Sequence, residues 1–434
     1  MSVELVGVLG ILCLFILMVL RTPVAFAMLI VGFLGYWFLE GQRSASALLL
    51  TETFSTVSNY SLVVVPMFIL MGNISSAAGF SAGLYEAANA WIGRFRGGLA
   101  SASVLGCAVF SAVSGSSVAT AVTLGKVALP EMRRFGYADR LATGSIAAGG
   151  TLGFLIPPST GFVIYAILTE QSIGRLFMAG ILPGLVLTLL FIAVIWLVSW
   201  FDPAAGPRGA RVSVRERFRV LAKAGPILLV IVVSIGGIYV GVFTPVEASG
   251  IGAALILIMS VLMRRLDFAA FRFAVLDTLK TTAMLYAVVV GASVLNPFFA
   301  VTHIPATLGA QLEALGVGAY GTLVLIILMF LILGMFMDGL SMLVITMPIF
   351  FPIITGFGFD PIWFGVIAVI AIEMGMITPP VGLNVFVVRG VADGVALTTI
   401  FRGVAPFLAA MAVALVLITL VPEIALFIPN TMFD

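Results

Sequence analysis

The chain has 434 residues, of which 62% are hydrophobic and 9% charged, against about 25% charged in ordinary soluble domains. Its mean hydropathy of +1.25, with 34 phenylalanines and 46 glycines spread along the whole length, excludes a soluble enzyme on one anchor and places the protein in a bilayer. A net charge of +2 gives no reason to expect nucleic acid or an acidic partner, so the positions of the charges carry more information than their sum.

Crossing ~30 Å of hydrocarbon takes about 20 apolar residues. From the N-terminus, such runs are predicted at Leu5–Leu20, Pro23–Leu39 and Ser61–Ala78. The first of them lacks a basic leader and an A-x-A cleavage site, and so reads as a span rather than a signal peptide. Gly97–Pro130 is interrupted halfway by small and polar residues and is too short for two comfortable crossings, which predicts a re-entrant helical hairpin. Leu141–Leu168 and Phe177–Phe201 follow, then a basic linker containing Pro and Gly at Asp202–Lys223. Beyond it come Gly225–Val242, Pro245–Met263 and Thr281–Ala300, a second interrupted stretch at Ala319–Phe351, and finally Pro361–Val388 and Gly403–Val421. The expected fold is an all-α polytopic membrane protein of about ten to eleven transmembrane helices plus two re-entrant hairpins. A closed β-barrel would instead alternate apolar and polar residues. Cys13 and Cys107 lie in apolar runs and read as small buried side chains, and His303 is the only histidine.

Short cytoplasmic loops collect Lys and Arg. With the N-terminus outside, the inner segments hold Arg21, then Arg94, Arg96, Arg133, Arg134 and Arg140, then Arg208, Arg211, Arg215, Arg217, Arg219 and Lys223. They also hold Arg264, Arg265, Arg272, Lys280, Arg389 and Arg402, which makes 18 of the 21 cations. Arg43 and Arg175 fall outside, and Lys126 lies in a hairpin leg. The arrangement requires Gly97–Pro130 to return to the side it left.

The same punctuation occurs twice, 222 positions apart. Thr22-Pro23-Val24 matches Thr244-Pro245-Val246; Pro130, Gly136 and Gly153 match Pro352, Gly358 and Gly375; and Pro157-Pro158 matches Pro379-Pro380. Each half holds five crossings and one hairpin, an odd number of crossings, so the second half enters from the opposite face. The expected division is a first inverted repeat over 1–201, with scaffold spans in 5–78, a hairpin at 97–130 and a broken helix at 141–168. A basic cytoplasmic linker occupies 202–224. The second repeat, 225–434, has scaffold spans in 225–300, a hairpin at 319–351 and a broken helix at 361–388. Inverted repeats with broken helices are the architecture of secondary transporters.

Proline has no amide hydrogen, so Pro157-Pro158 deprive the carbonyls of Gly153 and Phe154 of helical donors, and Pro379-Pro380 do the same for Gly375 and Met376. Freed carbonyls either find hydroxyls, water and neighbouring helices or coordinate a cation; their recurrence in both halves favours the cation. The run Ser111-Ala112-Val113-Ser114-Gly115-Ser116-Ser117, leading into a helix through Thr120, offers hydroxyls and helix-start amides that attract anions. Small-residue packing is its bland alternative. At the matching place in the second half, Gly334 opens a segment containing Asp338, which aligns with Ser116. Asp338 either caps a helix or orders a cation or substrate gate. Glu373 is a proton carrier or, the favoured reading, a buried hydrogen-bonded acid. Asn384 and Thr160 are polar candidates for substrate contact at similar depth.

These residues give the chain a resemblance to the large membrane (M) subunit of the tripartite ATP-independent periplasmic (TRAP) transporters, the DctM-like family. It rests on Arg21-Thr-Pro-Val-Ala25, Ser111 to Thr120, Gly153 to Ser159 and Gly375-Met-Ile-Thr-Pro-Pro-Val-Gly-Leu-Asn384, and covers essentially the whole chain. The resemblance implies an elevator-type symporter in a bacterial inner membrane, N-terminus periplasmic, driven by sodium as coupling ion and using no cofactor. Its partners would be a small four-helix membrane subunit (Q), a periplasmic substrate-binding protein (P) and membrane lipid. The cargo would be a carboxylate such as a C4-dicarboxylate or sialic acid. By motif, one sodium would involve Ser111, Ser114, Gly153, Ile156 and Pro158, and the other Gly334, Gly375, Thr378 and Val381, the last through its carbonyl alone. Ser116, Ser117, Thr120, Thr160, Asp338 and Asn384 would face substrate. Rival readings are a stand-alone sodium- or proton-coupled carboxylate transporter and an intramembrane serine hydrolase, the latter short of a histidine or lysine partner beyond Lys126.

Overall fold

A computed structural model describes residues 2–210, 212–314 and 316–432; Arg211, one of the cations assigned to the inner side, lies outside the described residues. Among these, every regular element is helical. The first ten helices are α1 (Val3–Val19), α2 (Val24–Glu40), α3 (Gln42–Val57), α4 (Val64–Ala77, entered through a tight turn at Tyr60–Val63), α5 (Phe80–Ile92), α6 (Gly98–Ser114), α7 (Ser117–Arg134), α8 (Asp139–Leu155), α9 (Thr160–Thr169) and α10 (Ile173–Phe201). The other ten are α11 (Val214–Tyr239), α12 (Pro245–Leu262), α13 (Phe268–Val301), α14 (Ile304–Ala314), α15 (Gly318–Gly334), α16 (Gly339–Gly356), α17 (Pro361–Gly375), α18 (Leu383–Val391), α19 (Leu397–Leu420) and α20 (Glu423–Asn430). Counting α8 with α9 as one, and the Tyr60–Val63 turn with α4, eight segments among the described residues are long and apolar enough to cross a membrane, and α1, α2, α6, α15 and α17 are shorter apolar helices.

Several elements depart from the sequence expectation, each for a local reason. Helices α3, α5, α14 and α20 lie outside the expected spans because they are short or mix polar with apolar residues. Helix α5, for example, buries Phe80, Leu84, Tyr85 and Ala88 on one face while Glu86 stays exposed. Ser213 caps α11 by accepting the Glu216 N–H at 3.3 Å, so residues 214–223 of the expected linker are helix. Asp267 likewise caps α13 through the Ala270 N–H at 2.7 Å, which starts that helix well before Thr281. Cys107 is buried as expected, but Cys13 is exposed on the outer face of α1.

Helix boundaries recur with the 222-residue offset: α7 and α16 begin at Ser117 and Gly339 and end at Arg134 and Gly356. Similarly α8 and α17 start at Asp139 and Pro361, and α9 and α18, at Thr160 and Leu383, start within one residue of that offset. The long helix α13 occupies the place that α3 and α4 take in the first half.

Two helical hairpins position the site. In the first, α6 and α7 pack on α8; in the second, α15 and α16 pack on α17. The outgoing leg of each also crosses to the other half, α7 against α18 and α16 against α9. The 18 residues of α7 and the 17 of α8 rise about 26 Å each at ~1.5 Å per residue. Joined by a short turn, they bring the hairpin tip level with the break between α8 and α9. At the base of this pair, Arg133–Asp139 at 3.5 Å and Arg140–Asp202 at 2.5 Å tie α7, α8 and α10 together. These pairs are half exposed, so each contributes about 0–1 kcal/mol.

Candidate functional site

The first hairpin tip turns at Gly115, whose φ of +60° suits glycine. A Cβ there would stand 2.8 Å from the Pro158 carbonyl oxygen. Ser116 caps α7, its hydroxyl accepting the Ala119 N–H at 3.4 Å. Thr160, at the start of α9, donates to the Gly115 carbonyl twice, from its N–H at 3.2 Å and its hydroxyl at 2.8 Å. The Ser114 and Thr120 hydroxyls share a 2.7 Å hydrogen bond. The hydroxyl of Ser111 is buried and has no hydrogen-bond partner. Such a group is costly to leave unsatisfied in a protein interior.

Helix α8 stops where the prolines remove its donors. The Ile156 N–H goes to Leu152 at 2.8 Å, and Pro157 has no N–H to offer the Gly153 carbonyl. Gly153 itself must be glycine, since a Cβ would come within 2.5 Å of the Ser116 carbonyl oxygen. The hairpin tip thus rests directly on the helix break, and Pro157-Pro158 is a cis pair, as is Pro379-Pro380.

At the second tip, Asp338 caps α16, accepting the Ser341 N–H at 3.0 Å and the Ser341 hydroxyl at 2.5 Å. Gly334 and Gly375 face each other so closely that a Cβ on either would lie 2.9 or 2.8 Å from the other's Cα. The Thr378 N–H donates to the Gly375 carbonyl at 2.9 Å, and the Thr378 hydroxyl to the Met374 carbonyl at 2.7 Å. The Gly382 N–H reaches across to the Met335 carbonyl at 3.2 Å.

Of the four carbonyls expected to be orphaned, three have donors. Phe154 accepts from the Ser159 hydroxyl, Gly375 from Thr378, and Met376 from the Asn384 N–H at 3.1 Å. Each diproline turns the chain sharply enough to bring a later donor back, which the counting of helical partners ignores. A carbonyl oxygen has two lone pairs, so one donor still leaves room for a cation.

Between the tips lies a link that the sequence did not disclose. Glu373 on α17, 1% exposed, accepts the Ser117 hydroxyl at 2.5 Å and the Asn384 side-chain amide at 3.5 Å. Ser117 and Glu373 come from opposite halves, 256 residues apart. Asn384, Thr120 and Ser117 are buried, so of the residues expected to face substrate only Asp338 is exposed, with Ser116 partly so. Clefts of about 510 Å³ beside His303 and Glu313, and of about 410 Å³ between Glu52, Asn59, Glu170 and Asn296, open elsewhere and do not reach the tips. Lys126 is exposed on α7.

Among the described residues, no three His, Cys, Asp or Glu side chains gather as a metal cluster. The donors at the breaks are hydroxyl and backbone oxygens, hard and mostly neutral ligands of the kind that hold alkali cations at discontinuous helices. The unpartnered Ser111 hydroxyl and the donor-free Gly153 carbonyl fit such an ion.

A family model described as Tripartite ATP-independent periplasmic transporter, DctM component, matches residues 11–424. The chain belongs to the DctM family of TRAP transporters. The C4-dicarboxylate TRAP transporter large permease protein of Pseudomonas aeruginosa is 38% identical over 87% of this chain and 88% of its own length. Its Vibrio cholerae counterpart is 33% identical over 95% of both chains, and the sialic acid TRAP transporter large permease protein of Vibrio cholerae is 33% identical over 86% and 87%. The YdaH transporter of Alcanivorax borkumensis, whose crystal structure was described as having an unusual topology, shares the fold with a TM-score of 0.60. At 16% identity over 90% of this chain and 88% of that one, the likeness is one of fold alone. The DctM chain is thus a multi-pass TRAP transporter large permease.

Proposed function

We propose that this permease imports an organic acid together with sodium, by an elevator movement, after delivery from a periplasmic substrate-binding protein. The two halves are inverted repeats. Hairpins α6–α7 and α15–α16, with the broken helices α8–α9 and α17–α18, form the moving block, and the first spans of each half form the scaffold. The observation that carries this reading is that the first hairpin and the helix break beneath it each hold an oxygen without a donor, the buried hydroxyl of Ser111 and the carbonyl of Gly153.

One sodium ion is assigned to Ser111, Ser114 and the carbonyls of Gly153, Ile156 and Pro158, and a second to the oxygens of Gly334, Gly375, Thr378 and Val381. With the ions in place the tips are ordered. The helix starts capped by Ser116 and Asp338 then flank the substrate, which meets helix-end amides and the hydroxyls of Ser116 and Thr160. Coupling follows because the ordered tips bind substrate better than the disordered ones. The names of the relatives support a C4-dicarboxylate or a sialic acid as cargo. A small four-helix membrane subunit completes the assembly in the bacterial inner membrane, with the permease N-terminus on the periplasmic side.

The reading is tested by reconstituting the permease with its small subunit and binding protein in liposomes and following labelled dicarboxylate or sialate uptake. Uptake should require both an inward sodium gradient and the loaded binding protein. Equal uptake under a potassium gradient would overturn the sodium assignment, and full uptake without the binding protein would make the chain a stand-alone carrier.

A further inference from the structure

The two ion sites assigned above lie in different halves of the chain, yet a continuous line of contacts joins them. Gly153, whose carbonyl belongs to the first site, packs on the backbone of Ser116 and Ser117, where a Cβ would come 2.5 Å from the Ser116 oxygen and 2.8 Å from the Ser117 nitrogen. The Ser117 hydroxyl donates to Glu373 at 2.5 Å. Glu373 stands two residues before Gly375 in α17, and Gly375 packs Cα to Cα on Gly334, both assigned to the second site. Along this line, the Ser117–Glu373 hydrogen bond is the side-chain step that passes from one half to the other.

The surroundings of Glu373 isolate that bond. The carboxyl is buried, and none of the four ion pairs among the described residues includes it. Its second oxygen meets only the Asn384 amide, at 3.5 Å, and Asn384 also holds the Met376 carbonyl through its N–H, fixing the start of α18 to the end of α17. The Asn384 side-chain oxygen is buried and has no partner. A change in the position of Ser117, which opens α7 at the first tip, therefore acts on α17 and α18 together.

We propose that Glu373 is a positioning residue that couples the two sodium sites: cation binding that orders the first tip places Ser117, and Ser117, through the Glu373 carboxyl, places the backbone of Gly375 and the start of α18. This rests on the sodium assignment made under the proposed function and adds to it that the two sites fill cooperatively. Spatial continuity alone does not demonstrate coupling, so the test must read coupling itself.

The full chain in lipid nanodiscs is titrated with sodium chloride against choline chloride at constant ionic strength, and its thermal stabilisation is followed. Two coupled sites should give a Hill slope approaching about 2, and uncoupled ones about 1. Ser117→Ala and Glu373→Ala should lower the slope towards 1 while sodium still stabilises the protein. Glu373→Gln should keep the wild-type slope, because its amide oxygen accepts from Ser117 and, once the Asn384 side-chain amide turns over, its NH2 donates to the Asn384 oxygen. Ser117→Ala removes one hydroxyl only and serves where Glu373→Ala does not fold. Ser111→Ala, away from the link, should shift the sodium midpoint of the first site. A wild-type slope in Ser117→Ala, or a slope of 1 in the wild type, overturns the coupling while leaving the ion sites standing. A wild type that responds equally to sodium and choline overturns both.

Discussion

The two helix breaks have the same sequence grammar and opposite exposure. Pro157, Pro158, Ser159 and Thr160 are buried under the tip of α6–α7, whereas Pro379, Pro380 and Val381 are exposed, as is Asp338 at the tip of α15–α16. The cause is visible in the tips. At the first, Gly115 accepts two hydrogen bonds from Thr160 and lies against Pro158. At the second, Gly382 reaches only the Met335 carbonyl, and Asp338 satisfies its own helix through Ser341. One tip is clamped on its broken helix and the other caps itself, so a motif repeated twice gives one closed break and one open one.

The largest expected effect lies where both breaks depend on a missing Cβ. Gly153→Ala drives a methyl into the Ser116 backbone, and Gly375→Ala drives one into Gly334; neither neighbour is a side chain that can swing away. Each should lower stability by about 1–3 kcal/mol, read as a fall in melting temperature of the purified permease, with transport lost. Normal uptake by Gly153→Ala would mean the first tip is less tightly clamped than its contacts indicate.

Next in size is the chemistry of each site. Ser111→Ala should raise the sodium concentration for half-maximal uptake by about tenfold, equivalent to ~1.4 kcal/mol, and Thr378→Val should raise it too. The effect of Thr378→Val should be the smaller, because its hydroxyl already donates to Met374. Equal wild-type sodium curves for both would remove the ion assignment.

The comparison itself is sharpened by labelling. In a variant with Cys13 and Cys107 replaced, Val381→Cys, 36% exposed in the wild type, should react with a membrane-impermeant maleimide in detergent, and Ser159→Cys, 1% exposed, should not. Similar rates would show that the asymmetry of the two breaks is lost in solution. The smallest effect is expected at the base of the first hairpin, where Arg140→Ala removes the half-exposed pair with Asp202 and should cost at most about 1 kcal/mol.

Much of this fold is written in strong local signals. Long apolar runs announce the spans, and the prolines at 157–158 and 379–380 announce the breaks. Helix α5 escaped because its apolar residues cover one face only, and the early start of α13 was hidden by Arg272, Asp277 and Lys280 in its first turns. At the site, counting lost amide donors located the breaks, but it could not foresee that Ser159, Thr378 and Asn384 return donors to the freed carbonyls. The Ser117–Glu373 bond was beyond reach, since it depends on how two halves 256 residues apart cross one another. No local pattern encodes that.

Helix α13 carries a further consequence. Its 34 residues span about 51 Å at ~1.5 Å each, against ~30 Å of hydrocarbon. The surplus falls at its charged N-terminal end, residues 268–280. The helix is therefore a ruler with a polar handle: its apolar part is long enough to cross the hydrocarbon, and the handle carries the remaining length beyond it. The first half, which meets the same distance with α3, a tight turn and α4, has a joint where the second half has a beam.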